Sequence, residues 1–277
     1  MKASFEKLAW LFVPGDQGKR VGKALASDAD AVIFDLEDGV APEAKEAARE
    51  TLREVAGAAG GSRAKLWLLR VNGVDSPFFA GDLALAVELG CDGVMLPKCE
   101  HRADLERARA HLPETMALVP LIESAAGVVR LAEIAGGDAH LPRAAFGSVD
   151  FALDLGVEWT PEGTERRFAL ERLALESRAL GWLPPLGAVY PDVRDEAAFR
   201  REAETEKRLG FFGKMVIHPV QINWLREVYR ASPEQLAWSR KVVEAYEAAG
   251  SGAVLLEGKL VDRPVYLRAR RVGQDGN

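Results

Sequence analysis

Glu123 and Asp150 each follow a short apolar run, ALVPLI and AAFG, with no basic residue beside either. Between the runs lies a segment of helical spacing (Val128, Leu131, Ile134), short enough to be one crossover. In such a strand–helix–strand unit the two strands are parallel, so both carboxylates emerge at one sheet edge. Two acids placed there repel unless a cation sits between them. A hard divalent ion such as Mg2+, held by one or two carboxylates with substrate oxygens and water, suits that position. The plainer alternative is that each acid caps the helix that follows, since acids favour helix N-termini.

Other reactive side chains also fall at the ends of apolar runs: Asp35, Glu37 and Asp38, then Arg70, Lys98 and His218. Buried charges are costly unless paired or coordinated, so a ring of this density points to an anion and a metal. Arg70 pairs with Glu37 or Asp38, or grips a substrate carboxylate through its planar fork; the two roles are compatible. Asp35 and Glu37 share strand parity and point the same way, whereas Asp38 begins the loop. Lys98 reads as a structural cation, with a Schiff-base lysine as the rival. His218 reads as a hydrogen-bonded core histidine, and no His or Cys spacing resembles a zinc site. Gly147-Ser148, just before Asp150, lets backbone approach a small ligand closely. The loop Arg20 to Lys23 and the basic tail Arg268, Arg270 and Arg271 read as solvated surface, with contact to a phosphorylated carrier as the alternative.

The elements that must position these groups are short apolar runs: WLFVP (10–14), AVIFDLE (31–37), KLWLLRVN (65–72), GVMLPK (93–98), ALVPLIE (117–123), RAAFGSVD (143–150), PLGAVYPD (185–192) and KMVIHP (214–219). Most are near-continuously apolar, as strands buried on both faces are, and charged segments of helical periodicity separate them. Strands alternating with helices in this number predict an α/β fold, a parallel (β/α)8 TIM barrel, with active-site groups at the C-terminal strand ends. An open doubly wound sheet is the runner-up, but no GxGxxG follows the first strand. The barrel is assigned to residues 1–230. Residues 231–277, a Ser-Pro-initiated helix, an apolar run, a turn and a short basic helix, form a C-terminal appendage, a flap over this barrel mouth or a neighbour's.

The net charge of −6 and pI near 5.5, with acids and bases interspersed, argue against nucleic acid or an acidic membrane as the main partner. No stretch is long and apolar enough to span a bilayer, and the N-terminus does not read as a signal peptide. Cys91 and Cys99 fall in or beside one strand, too far apart to bridge, and reduced cysteines suit a cytoplasmic protein.

In order along the chain, LFVPG, DLEDGV, RVN, MLPK, LIES, GSVDFALDLG and GKMVIHPVQ resemble the citrate lyase β-subunit-like proteins of the HpcH/HpaI aldolase superfamily, relatives of malyl-CoA and citramalyl-CoA lyases. The resemblance implies a barrel in a homotrimer that binds Mg2+ through Glu123 and Asp150. It implies that Arg70 binds the carboxylate of an α-keto acid or hydroxy acid, and that Glu37 organises that region. It also places Asp262, in GKLVDRP, where the family has a catalytic aspartate that reaches an adjacent subunit. Val149 departs from the usual residue before the metal aspartate. The implied reaction is carbon–carbon cleavage of a citryl-, malyl- or citramalyl-type thioester of coenzyme A or an acyl carrier protein, giving an α-keto acid such as oxaloacetate and an acyl thioester. A carrier-dependent β subunit inactive alone, a malyl-CoA-type thioesterase and a metal-free Lys98 aldolase are the competing expectations.

Overall fold

The strand-forming runs assemble into one parallel sheet in the computed structural model, which describes residues 2–59, 64–138, 141–250 and 252–275. Its strands are β1 (Ala9–Pro14), β2 (Ala31–Asp35), β3 (Leu66–Arg70), β4 (Gly93–Leu96), β5 (Ala117–Ile122), β6 (Ala145–Phe146) and β7 (Lys214–Val216), in the order β6-β5-β4-β3-β2-β1-β7. Burial on both faces explains the unbroken apolar runs: every residue of β2 and β5 is buried. Alternate residues of each strand meet in a single core cluster that includes Trp10, Ile33, Leu68, Met95, Val119 and Met215. Helices connect the strands: α1 (Gly18–Ala26), α2 (Lys45–Ala59), α3 (Phe79–Glu88), α4 (Arg102–Arg109), α5 (Ala125–Val129), α6 (Leu131–Ala135), α7 (Ser148–Leu155), α8 (Arg167–Ala179), α9 (Glu196–Leu209) and α10 (Pro219–Tyr229).

Two of the expected strands barely form. The 143–150 run pairs only at Ala145 and Phe146, then turns into α7, so Asp150 lies in the first turn of a helix rather than at a strand end. The 185–192 run makes isolated parallel bridges only, Leu186 to Ala145 and Gly187 to Lys214. Proline at 184, 185 and 191 removes ladder donors; the N–H groups of Leu186 and Gly187 reach Ala144 and Gly213, but that of Ala188 donates to Glu206 Oε1 instead (3.1 Å). That glutamate belongs to a fully buried ion cluster. Lys214 Nζ donates to Glu202 (2.7 Å) and to both oxygens of Glu206 (2.8 and 2.9 Å), while Arg166 Nη2 donates to Glu202 (2.5 Å). Gly187 is required there, because a β-carbon would lie 2.1 Å from Glu206 Oε2. Below the same region the buried Arg143 donates to the main-chain carbonyls of Phe5, Pro184 and Phe212.

Residues 1–226 form one compact unit and 227–277 a second. In the second, α11 (Pro233–Ala248) starts at a Ser232–Gln235 capping box. A hairpin of β8 (Val254–Leu256) and β9 (Lys259–Val261) follows, then α12 (Arg263–Asp275). Val242, Tyr246, Val261 and Ala269 make its core, and the Tyr246 and Tyr266 rings stack at 4.5 Å. Among the described residues no helix is long and apolar enough to cross a membrane.

Candidate active site

Register decides which side chains meet. Pro14 pairs with Asp35 and Asp35 with Arg70, so the last residues of β1, β2 and β3 lie in one row at the C-terminal edge. Arg70 therefore grips Asp35 through Nε and Nη2, both at 2.7 Å. Its Nη1 lies 2.9 Å from Glu37 Oε2, close enough for an ion pair but misaligned for a hydrogen bond. The guanidinium also lies over the Phe12 ring, 5.0 Å from its centroid. Arg70 thus pairs with Glu37, as expected, but its main partner is Asp35 and not Asp38. Burial opposes the Arg70 charge, but Asp35 and then Glu37 outweigh it and raise the pKa.

Asp35 shapes the loop after β2 by accepting the N–H groups of Glu37 and Gly39, both at 2.9 Å. Lys45, buried at the start of α2, donates to the carbonyls of Leu36 and Glu37 at 2.6 Å. Asn72 Nδ2 donates to Leu36 O (2.8 Å) and to Asp82 Oδ2 (2.6 Å), and Arg49 holds the other oxygen of Asp82. Lys45, Asp82 and Arg49 escaped the sequence reading. Asp82, an acid set among the apolar residues of α3, was the available signal.

Glu123 follows β5 directly and is almost fully buried. Its Oε1 accepts the main-chain N–H of Lys98 at 2.7 Å. Burial first, then the neighbouring Glu37 and Asp150, push its pKa up to about 8. Glu123 does not cap the following helix. Ser124 does, its Oγ accepting from Gly127 N at 3.1 Å. Asp150, half-buried in the first turn of α7, has no hydrogen-bond or ion-pair partner among the described residues. The helix-cap alternative therefore fails for Glu123 and makes no bond at Asp150. Gly147 lies against Glu123, where a β-carbon would sit 2.5 Å from Oε2 and 2.6 Å from Cβ. Ser148 is fully buried with Oγ accepting from Trp159 Nε1 (3.2 Å), so its hydroxyl is behind the site and not in its wall.

Lys98 adopts φ 52°, a left-handed backbone that costs a residue with a β-carbon about 1–2 kcal/mol. Its Nζ donates to Glu37 Oε1 at 2.8 Å and lies 3.9 Å from Asp38. The hydrogen bond to Glu37 raises the Lys98 pKa and keeps it an ammonium, the opposite of what a Schiff-base lysine needs.

Glu37, Asp38, Asn72, Lys98, Glu123 and Asp150, with Asp75, Glu100 and Asp154, line one cavity of about 700 Å3. A crowded carboxylate wall with one lysine is electrostatically incomplete. Among the described residues no three His, Cys, Asp or Glu side chains form a metal cluster. Two carboxylates, one held from behind by a backbone N–H and one without a partner, are the donors present. Such hard oxygen ligands suit Mg2+, which leaves most of its shell to water and substrate. The end of β1 and the residues just after β7, His218 among them, line a second cavity of about 400 Å3 with Arg20 and Lys23. His218 is exposed, its Nδ1 accepting from Val220 N, and is not the core histidine expected. In the C-terminal unit Asp262 caps α12, its Oδ1 accepting from Val265 N (3.2 Å). Cys91 and Cys99 are both buried, and neither forms a disulfide.

Residues 8–219 match the HpcH/HpaI aldolase/citrate lyase family. The chain is 38% identical over 280 residues to the citrate lyase subunit beta of Escherichia coli, covering 95% of this chain and 90% of that protein. It is 34% identical over 265 residues to a (3S)-malyl-CoA thioesterase of Cereibacter sphaeroides, covering 94% and 91%. The crystal structure of CitE from Mycobacterium tuberculosis, in complex with magnesium, acetoacetate and coenzyme A, superposes with a TM-score of 0.86 at 32% identity, covering 100% of this chain and 99% of that one.

Proposed function

Since the chain belongs to the HpcH/HpaI aldolase/citrate lyase family, we propose that it is a Mg2+-dependent carbon–carbon lyase acting on a β-hydroxyacyl thioester of the citryl-, malyl- or citramalyl-CoA type. The observation that carries this reading is that Glu123, almost fully buried, and Asp150, without a side-chain partner among the described residues, line one cavity. Glu123 and Asp150 are the residues that would hold the ion. Mg2+, when bound, supplies a Lewis acid for the hydroxyl and carboxylate oxygens of the substrate. Arg70, fixed by Asp35 and Glu37, offers the unused part of its donor fork to the substrate carboxylate. Gly147 and Ser148 contribute backbone, leaving room for the small keto acid.

In cleavage the hydroxyl loses its proton to solvent, the carbon–carbon bond breaks, the hydroxyl-bearing carbon becomes the keto group and the bonding electron pair stays on the carbon beside the thioester. Asp262 gives that carbon a proton, and removes one from it in condensation. Asp262 Oδ2 has no hydrogen-bond partner among the described residues, which supports such a role. We assign it to the site of a neighbouring copy in a homotrimer. Leu153, Phe168 and Leu175, on α7 and α8, are 78, 65 and 71% exposed and give subunits an apolar surface to bury. We also read the sheet as a closed (β/α)8 barrel of residues 1–230, with 231–277 as its lid-like extension. The bridges at Leu186 and Gly187 and the shared core of both sheet edges support closure. Arg20 and Lys23 supply positive charge for an anionic carrier, coenzyme A or an acyl carrier protein.

Glu123→Gln, folded as judged by circular dichroism, should lower keto-acid release at least ~10²-fold, the scale of losing one preorganised electrostatic group. An unchanged rate would remove Glu123 from the site. The likeness to a malyl-CoA thioesterase favours one second reading, hydrolysis of the thioester with the same residues. Release of free coenzyme A thiol with no keto acid would select it.

A further inference from the structure

Resting on that reading, we infer that Lys98 is a positioning residue that holds the ion-binding and the substrate-binding halves of the site in register. Its main-chain N–H sets Glu123 (2.7 Å), and its ammonium sets Glu37 (2.8 Å) and, through Glu37, Arg70. The two ends of one residue thus act on two different carboxylates.

Among the described residues only Lys98 and Glu257 combine a β-carbon with left-handed backbone. Glycine takes that conformation without strain and would keep the same N–H. The lysine bears the cost of the turn and makes with its side chain a bond that glycine could not. Its task follows from the neighbours. Glu37 has one oxygen on Lys98 and the other against Arg70 in a misaligned contact. Without the ammonium, Glu37 is free to swing onto Arg70 and occupy the N–H groups meant for a substrate carboxylate. The same ammonium anchors the strained turn, because its bond to Glu37 resists relaxation of the backbone that aims the N–H at Glu123. Lys98 acts through these groups rather than on the reacting atoms, since its ammonium is already engaged.

Three variants separate the two ends. Lys98→Gly keeps the N–H and the turn but removes the ammonium. Lys98→Ala removes the ammonium and leaves a β-carbon in a turn that nothing anchors. Lys98→Arg keeps a cation. Calorimetric Mg2+ titration of the folded, metal-free chains should find Lys98→Gly within about threefold of the unsubstituted protein and Lys98→Ala weaker by ~10-fold. Both should lower kcat/KM for the thioester by ~10–100-fold, with Lys98→Arg recovering part of it. Lys98→Gly should also melt at or above Lys98→Ala, because the left-handed turn penalises the β-carbon. Equal Mg2+ affinity in the Gly and Ala variants, or wild-type kcat/KM in Lys98→Gly, would overturn the inference. If the unsubstituted chain binds Mg2+ and cleaves thioester while its variants match it, this inference alone falls. If the unsubstituted chain binds no Mg2+, the functional reading falls and takes this one with it.

Discussion

The Glu123 carboxyl has a pH dependence whose sign follows from its burial. In the folded, metal-free protein it holds its proton up to about pH 8, whereas its ordinary pKa is 4.5. Between those values the folded state binds more protons than the unfolded chain, so this group makes the metal-free protein less stable as pH rises through the window. Ion binding requires the carboxylate. Mg2+ affinity should therefore increase as pH approaches 8, with protons released on binding. Calorimetry in buffers of different ionisation enthalpy measures both, and a pH-independent affinity with no proton release would show that Glu123 is not the ligand. Most of this site was legible at the residue scale, because Glu37, Arg70, Lys98, Glu123 and Asp150 all end apolar runs. What the sequence hid was pairing. Asp35 is the main partner of Arg70 because strand register puts them side by side, and register cannot be read from one strand alone.

At the scale of elements, the segment from β5 to α7 does most of the placing. β5 delivers Glu123, Ser124 starts α5, and α7 carries Asp150 in its first turn. Gly147 joins β6 to α7 against the Glu123 side chain, so Gly147→Ala should displace that carboxylate while leaving the sheet intact. Mg2+ affinity should fall ~10–100-fold, the range found when a group supporting a metal ligand is lost. Titration with Mg2+ on the folded variant checks it, and unchanged affinity would mean that Glu123 moves aside freely. Strands β1 to β5 were legible because burial on both faces writes an apolar run of the right length. The 143–150 and 185–192 runs misled for physical reasons. Apolar periodicity does not register a helix that begins two residues after β6, or a ladder donor diverted to the buried Glu206. The Lys214–Glu202–Glu206–Arg166 cluster was equally hidden, since a lysine opening an apolar strand reads as an exposed end.

The whole molecule raises the question of where Asp262 acts. If each site takes Asp262 from a neighbour, Arg70→Ala and Asp262→Ala proteins are inactive alone but complementary once mixed and reassembled. Random mixing in a cyclic assembly should restore about a quarter of full activity, because half of the barrels are intact and half of those meet an intact aspartate. No recovery in assemblies shown to have exchanged subunits would place Asp262 in its own site or outside the chemistry. The acidic cavity makes a further demand at this scale: a site so rich in carboxylates works on an anionic substrate only with a cation in place. The most direct test is keto-acid release from citryl-, malyl- and citramalyl-CoA by the isolated protein, with EDTA and then excess Mg2+. The prediction is cleavage of at least one thioester to keto acid and acyl thioester, abolished by EDTA and restored by Mg2+. Cleavage that persists in EDTA, or no keto acid from any of the three in folded, Mg2+-loaded protein, would contradict it.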